Sequence, residues 1–323
     1  MQAQRAPLSD GRWHFQHGPI DIVIGADGAA RAVSDAHEAA WQRFRTLLAE
    51  LVAELPLLHK PISAISAIPP TLTVSAQSGS TQAYFRGPVA QRMWAACAPY
   101  RAGYITPMAA VAGAVAQELI ARYDRPGVNR AWVNNGGDIA LHLTPGHSVR
   151  VGLFKDLSGW RSALGQSGVE TDAQWALCAE QPARGIATSG WRGRSFSLGI
   201  ADSVTVLAAT AAQADAAATV IANAVNVSDP AIVRQPACDV ADDTDLGTLA
   251  VTVDVPVLSG AAVQAALQAG LNKAQALQHA GLIGFAALFC QGQWCSTAAP
   301  QAGHWQPLGS ANRSPLPSLS SSC

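Results

Sequence analysis

The 323 residues contain no G-x-S-x-G, G-x-x-x-x-G-K-[ST], G-x-G-x-x-G or H-E-x-x-H segment. Serine hydrolase, P-loop, Rossmann and zinc-protease readings thereby lose their motif support. Charge is scarce and balanced: 13% of residues are Asp, Glu, Lys or Arg, and 21 basic against 22 acidic side chains leave a formal net charge of -1. No basic cluster is large enough to hold nucleic acid through its phosphates, so no nucleic-acid partner is expected. Long apolar runs are also missing. The longest, Gly281 to Cys290, is about half of the roughly 20 residues a membrane helix requires, and no membrane partner is expected. Met1 to Asp10 carry one Arg and no apolar stretch of the signal-peptide kind, which points to a cytoplasmic location. The six cysteines form no C-x-x-C pair and show no zinc-ligand spacing. They read as reduced, mostly buried thiols, with a Cys290–Cys295 disulfide as the alternative.

What is present is apolar: hydrophobic residues make up 49% of the chain, enough to exclude disorder as a whole and to build a sizeable core. Residues 1–10 are expected to be flexible, 11–297 to form a single domain, and 298–323, rich in Pro and Ser, to be a disordered tail. Arg12 to Ala30 reads as a hairpin turning at His17-Gly18-Pro19. The spacing predicts a helix from Asp35 to Leu55, with Asp35 and Glu38 as a capping-box-like pair and Pro56 closing it. Pro61 to Ser80 lacks charge and reads as extended or looping, with Ser78-Gly79-Ser80 a ligand loop or a turn.

Thr106-Pro107 marks the start of a small-residue helix to Tyr123. Strands are expected at Arg130–Val133, Asp138–Leu143, Val149–Phe154, Trp175–Cys178, Gly185–Thr188, Arg194–Leu198 and Ser203–Leu207, with a loop from Lys155 to Ala173. An Ala-rich helix capped by Thr210 should run to about Val227, and Pro230 to Asp245 reads as polar linker. A strand at Val251–Val257, a helix capped by Ser259 and a last buried strand at Leu282–Phe289 follow. Strands mixed with long helices, without regular βαβ alternation, make the class α+β.

Chemistry is concentrated in a few places. Asp215 and Thr219 stand four residues apart and share a helix face. A carboxylate and a hydroxyl are hard oxygen donors, and Mg²⁺ accepts one or two such side chains while keeping sites for water and substrate phosphates. A solvated Asp215 and a Thr219 bonded to its own helix is the competing reading. Asn134-Asn135-Gly136-Gly137-Asp138 lets backbone pass close to a ligand or simply makes a hairpin turn. Gly185-Ile186-Ala187-Thr188-Ser189-Gly190 makes a plain turn or offers N–H and hydroxyl donors suited to a phosphate or ribityl chain, and Arg192 and Arg194 beside it neutralise a phosphate or are solvated. His14 shares a strand face with Gln16 while His17 points away, so the two do not share a metal. One of them is a candidate acid or base, or both are surface or packing residues.

Taken in order, Pro107-Met108-Ala109-Ala110-Val111-Ala112-Gly113, Asn134-Asn135-Gly136-Gly137-Asp138-Ile139, Ala187-Thr188-Ser189-Gly190, and Ser203-Val204-Thr205-Val206 with Ala214-Asp215-Ala216-Ala217-Ala218-Thr219 resemble the ApbE-like family of FAD:protein FMN transferases. With the His14-to-Asp21 segment the pattern is most similar to an uncharacterised branch of that superfamily. The resemblance covers roughly residues 10 to 295 and implies a T-fold-related architecture of mixed or antiparallel sheets packed with helices. It also implies Mg²⁺ held by Asp215, Thr219 and the carbonyl of Ala109, with Asn135, Gly136, Gly137, Thr188, Ser189 and Gly190 lining a flavin nucleotide. The ion would hold the FAD pyrophosphate and assist attack by an acceptor protein's threonine.

Three departures accompany the resemblance. Thr106 stands where the transferases have an acidic residue, and Ala112-Gly113 where they have a Lys-Gly or Glu-Gly pair. The His-containing H-x-I-D-P-x-T-G segment that precedes the Ser-Val-Thr-Val strand is replaced by Trp191 to Asp202. His14, His17 or Asp138 is then the substitute catalytic group. The expected function is Mg²⁺-dependent FAD binding, with FMN transfer or pyrophosphate cleavage. The alternative is a non-catalytic flavin- or metabolite-binding accessory protein that kept the pocket.

Overall fold

In the computed structural model the described residues are 2–66, 71–75, 79–153, 173–297 and 305–307. The N-terminal hairpin forms as its alternation requires. Strands β2 (Trp13–His17) and β3 (Ile20–Gly28) pair antiparallel, His17 opposite Ile20, around Gly18-Pro19 with Gly18 at φ +58°. Ahead of them β1 (Gln4–Pro7), inside the stretch expected to be flexible, is paired to β2 as the sheet's edge strand.

Helix α1 spans Ala30–Leu58, longer at both ends than the spacing predicts. It starts at Ala29 without a side-chain cap, so Asp35 and Glu38 lie inside it, and it runs through Pro56. Pro56 lacks the N–H that would bond the carbonyl four residues back. The carbonyl it leaves unpaired belongs to Val52, a residue 54% exposed. The short α2 (Ile62–Ser66) and the hairpin of β4 (Thr71–Ser75) and β5 (Gly79–Ala83) occupy most of the stretch read as looping; Ser78 lies outside the described residues.

Helix α3 (Pro88–Cys97) precedes the Thr106-Pro107 start, which opens as a 3-10 turn over Pro107–Ala110 before α4 (Val111–Ile120). Strands β6 (Val128–Asn135), β7 (Asp138–Leu143), β8 (Ser148–Leu153), β9 (Ala173–Cys178), β10 (Gly185–Ser189) and β11 (Ser203–Ala208) match the expected runs within a few residues. Of the expected loop from Lys155 to Ala173, residues 155–172 lie outside the described residues.

Arg194–Leu198 is not a strand. The Leu198 N–H donates to Asn223 Oδ1 at 2.8 Å and its carbonyl accepts from Asn226 Nδ2 at 2.9 Å, so side chains take the groups a ladder would use. Helix α5 (Ala211–Ala224) begins as expected, with Thr210 Oγ1 accepting from the Gln213 N–H. The segment read as linker contains β12 (Val233–Pro236) and α6 (Ala237–Val240), and β12 pairs with β13 (Ala250–Asp254). Helix α7 (Gly260–His279) is capped by Ser259. Strand β14 (Phe285–Cys290) is followed by β15 (Gln293–Ser296), and β16 (Trp305–Pro307) pairs with β9; the rest of 298–323 lies outside the described residues.

Nine strands form one wholly antiparallel sheet in the order β1-β2-β3-β6-β7-β10-β11-β14-β15, so the class is α+β. Its central strands are buried on both faces. Along β11 and β14, Val204, Val206, Ala286 and Leu288 face the helices, whereas Leu207, Phe285, Ala287 and Phe289 face a second cluster beneath the β16-β9-β8 sheet. Period-two alternation thus gives three layers, helices over a large sheet over a small one. Cys290 and Cys295 are separate thiols, donating to the carbonyls of Ile200 and Leu267.

Candidate functional site

A cavity of about 1530 Å³ opens where the turns of the large sheet meet the first turns of α4 and the face of α5 that carries Asp215, Thr219 and Asn223. Its floor follows from backbone chemistry. Gly136 and Gly137 have φ of +68° and +110°, left-handed values that glycine takes without strain, and Asn134 Oδ1 accepts from the Gly137 N–H at 2.8 Å. The turn sets Asn135 opposite Asp138. Asn135 is buried and its Nδ2 donates to the Ala112 carbonyl at 3.1 Å, tying the turn to α4. Asp138 is buried and accepts from the Thr188 N–H at 3.3 Å, and the Thr188 and Thr205 hydroxyls are 2.9 Å apart.

Asp215 reaches the same floor from α5. Its Oδ2 accepts from the Gly113 N–H at 2.9 Å, and the Ala112 N–H also hydrogen-bonds it. Glycine is needed at 113 because a Cβ there would fall 2.3 Å from the Ala211 carbonyl oxygen. Both carboxyls are shifted upward. For Asp138 the causes are burial and then the negative charge of Asp215, opposed by the Thr188 N–H and the Arg194 charge. For Asp215 burial dominates, opposed by the Gly113 and Ala112 N–H groups and by Arg194. Two acids that resist ionising together hold protons that a bound cation would displace.

The predicted ligand residues converge. Ala109, Asn135, Gly136, Gly137, Asp138, Thr188, Ser189, Gly190, Asp215 and Thr219 all line this cavity. His14 and His17 are not among its lining residues. His14 Nε2 is 2.6 Å from Asp21 Oδ1 at the surface, and the His17 ring packs edge-on to Phe44 with centroids 6.2 Å apart. Of the three candidate acid–base groups the cavity holds Asp138 alone. Among the described residues no three His, Cys, Asp or Glu side chains gather into a metal cluster, a donor set different from the expected carboxylate, hydroxyl and carbonyl.

Sequence reasoning missed two walls. Asp243, Thr244 and Asp245 come from the segment read as linker, and the acidic run Asp242-Asp243-Thr244-Asp245 was the available signal. Asp245 accepts a hydrogen bond from the Thr106 hydroxyl, and its carbonyl accepts from Tyr104 Oη at 2.8 Å. A carboxylate therefore stands at the start of the Pro107 turn after all, delivered from a distant loop. The Cys97 thiol beneath is pushed up by burial and then by the charges of Asp215 and Asp245. The second wall is apolar: Leu48, Leu51, Val52 and Leu55 from α1 with Ile20. Helical spacing marks these leucines as core without distinguishing core from cavity wall.

A family model described as AbpE bacteria matches residues 5–296. The chain belongs to that family. A UPF0280 protein of Methanopyrus kandleri is 41% identical over 155 residues, 48% of this chain and 56% of the relative. One of Methanosarcina acetivorans is 27% identical over 230 residues, covering 71% and 77%. The chain spans about half the length of the first curated relatives it matches. Among solved structures it is similar to the apo flavinyl transferase ApbE of Pseudomonas stutzeri, at TM-score 0.38 and 12% identity over 92% of this chain and 94% of that one. The flavin transferase ApbE of Vibrio cholerae matches at TM-score 0.36 and 12% identity, covering 92% and 97%. Among the described residues no helix is long and apolar enough to cross a membrane.

Proposed function

We propose that this protein binds a flavin nucleotide, FAD, with a divalent cation and transfers or releases its FMN half by cleaving the pyrophosphate. The observation that carries the reading is the convergence of Asp138 and Asp215, both with raised proton affinity, on one cavity lined by Thr219 and Ala109. Family membership supports it. The donors suit Mg²⁺: a carboxylate of Asp215, the Thr219 hydroxyl and the Ala109 carbonyl are hard oxygens and leave positions for phosphate oxygens. When bound, the ion supplies Lewis-acid stabilisation of charge developing on the pyrophosphate.

The chain's own residues do the rest. Gly137, with nothing within 4 Å of where a Cβ would stand, lets the nucleotide approach the backbone, and the Thr188, Ser189 and Gly190 segment offers N–H and hydroxyl donors to it. Asp138, at the cavity floor, accepts the proton of an attacking hydroxyl. The new bond forms between that hydroxyl oxygen and the FMN phosphorus, the bridging P–O bond breaks, and AMP leaves with the bridging oxygen. Burial suits Asp138 to this because it raises a carboxylate's basicity toward neutral pH. The acceptor is a threonine of a partner protein, or water if the product is free FMN. A cytoplasmic setting belongs to the same proposal.

One observation favours a second reading. Residues 190–202, between β10 and β11, contain no histidine, so the pocket would serve a non-catalytic flavin- or metabolite-binding accessory protein. Incubating the protein with FAD and Mg²⁺ and analysing the mixture separates the two. AMP and FMN in equal amounts establish cleavage, AMP with flavin bound to an added acceptor establishes transfer, and unchanged FAD that remains bound establishes the accessory reading.

A further inference from the structure

Asp215, Thr219 and Asn223 follow one another at four-residue steps on α5, and all three line the cavity. The orientation of the Asn223 amide is fixed by its neighbours. Oδ1 accepts from the Leu198 N–H at 2.8 Å and from the Ser197 hydroxyl at 3.2 Å. A backbone N–H can only donate, so the amide oxygen must face it and the nitrogen is turned the other way. Nδ2 makes no hydrogen bond among the described residues, and the cavity is the space open to it. The segment that sets this orientation is itself held in place. Asn226 Nδ2 donates to the Leu198 carbonyl at 2.9 Å, and Arg234 Nη2 donates to Asn226 Oδ1 at 2.7 Å. At Gly199 a Cβ would fall 2.0 Å from the Ala222 carbonyl oxygen, so only glycine lets the segment lie this close to the helix. Ser197 turns inward and is 2% exposed, whereas Phe196 and Leu198 on either side of it line the cavity. One amide donor flanked by a phenyl ring and a leucine suits a planar ring with a carbonyl edge better than a hydrated phosphate.

We propose that Asn223, with Phe196 and Leu198, forms the ring subsite of the cavity, its Nδ2 donating to a ring carbonyl oxygen of the flavin. The inference rests on the flavin-nucleotide reading above. Asn223 lies one helical turn, roughly 6 Å, beyond Thr219 along α5, a separation of the order of an extended ribityl chain between phosphate and ring. Because Oδ1 is already occupied by two donors, the amide offers the ligand a donor and no acceptor. That matches the carbonyl edge of a flavin and leaves the amino group of an adenine unmet. Asn223 thereby determines which half of the dinucleotide lies at this end of the cavity.

The test titrates the full-length protein with FAD and with ADP in the presence of Mg²⁺, at about pH 8. ADP keeps a pyrophosphate and lacks the flavin ring. Thermal melting followed by circular dichroism reads the stability of each variant. Asn223→Ala removes the donor and the anchor together, so its melting temperature should fall, its FAD affinity should drop about tenfold, and its ADP affinity should stay unchanged. Asn223→Asp keeps an acceptor for Ser197 and Leu198 and cannot donate. Its melting temperature should therefore match the wild type while its FAD affinity falls at least as far. The visible absorption of bound flavin should shift in both variants, because a hydrogen bond to a ring carbonyl polarises the chromophore. A merely structural Asn223 would leave FAD affinity intact in Asn223→Asp, and that result overturns the proposal. So does an ADP affinity that falls in step with that of FAD in Asn223→Ala, which would assign the donor to the phosphates. A wild type that binds no FAD overturns the flavin-nucleotide reading itself, and the wild-type arm alone reveals that failure.

Discussion

Two acidic centres in this molecule have opposite chemistry. Glu118 on α4 is 6% exposed and is surrounded by arginines: Arg43 Nε at 2.7 Å, Arg92 Nη1 at 3.1 Å and Arg122 Nη2 at 3.2 Å. Burial alone would raise its proton affinity, and Arg43 and Arg92 more than offset that, so it is held below the ordinary carboxylate range. Arg43 also donates to Glu50 within α1, so the cluster clamps α1 to α4. Asp138, buried, and Asp215, half-buried, meet at a cavity with one backbone donor on the first and two on the second, and both are shifted upward. A carboxylate with its charge fully met is part of the scaffold. A pair left short of positive charge is a place for a ligand to supply it.

Substitutions should separate the two centres. Asp215→Ala should weaken Mg²⁺-dependent FAD binding by at least about 100-fold in calorimetric titration, with only a small loss of melting temperature, since the Gly113 and Ala112 N–H groups lose their acceptor while a carboxylate shifted upward by burial is removed. Glu118→Ala should do the reverse, lowering stability by about 3 kcal/mol in denaturant unfolding by stranding buried arginines while leaving FAD affinity unchanged.

The pH dependence sharpens the contrast. Acids whose proton affinity is raised by folding bind more protons in the native state than in the unfolded one. Their contribution to stability is therefore lost as pH climbs from the ordinary carboxylate range through the raised native values. The metal-free protein should lose that contribution between about pH 4 and neutrality, and Mg²⁺ should raise the melting temperature more at about pH 8 than at about pH 5, where protons already fill the site. Asp215→Asn should remove most of that difference. The smallest effect is expected at the surface: His14→Ala breaks the exposed pair with Asp21 and should shift stability by less than about 0.5 kcal/mol, with FAD affinity intact.

Much of this was legible in the sequence, for identifiable reasons. The caps at Thr210 and Ser259 were readable because a side-chain oxygen does a local job there. Helix α1 was mispositioned because Ala29 caps nothing and because Asp35 and Glu38 imitate a capping box inside a helix. The convergence of residues on α5, the glycine turn and β10 on one cavity was readable from their order along the chain. The carboxylate of Asp245 at Thr106 was not, because it arrives across 139 residues of sequence from a segment without periodicity. His14 and His17 were drawn into the candidate site by residue type, and strand register places them away from the cavity lining.

The most direct measurement is calorimetric titration of metal-stripped protein with FAD, with and without Mg²⁺. Binding that requires Mg²⁺, or is strengthened at least about tenfold by it, is the predicted result. FAD binding of equal strength with and without the cation, or none under either condition, would contradict the claim that the Asp138–Asp215 pair makes this a cation-dependent flavin nucleotide site.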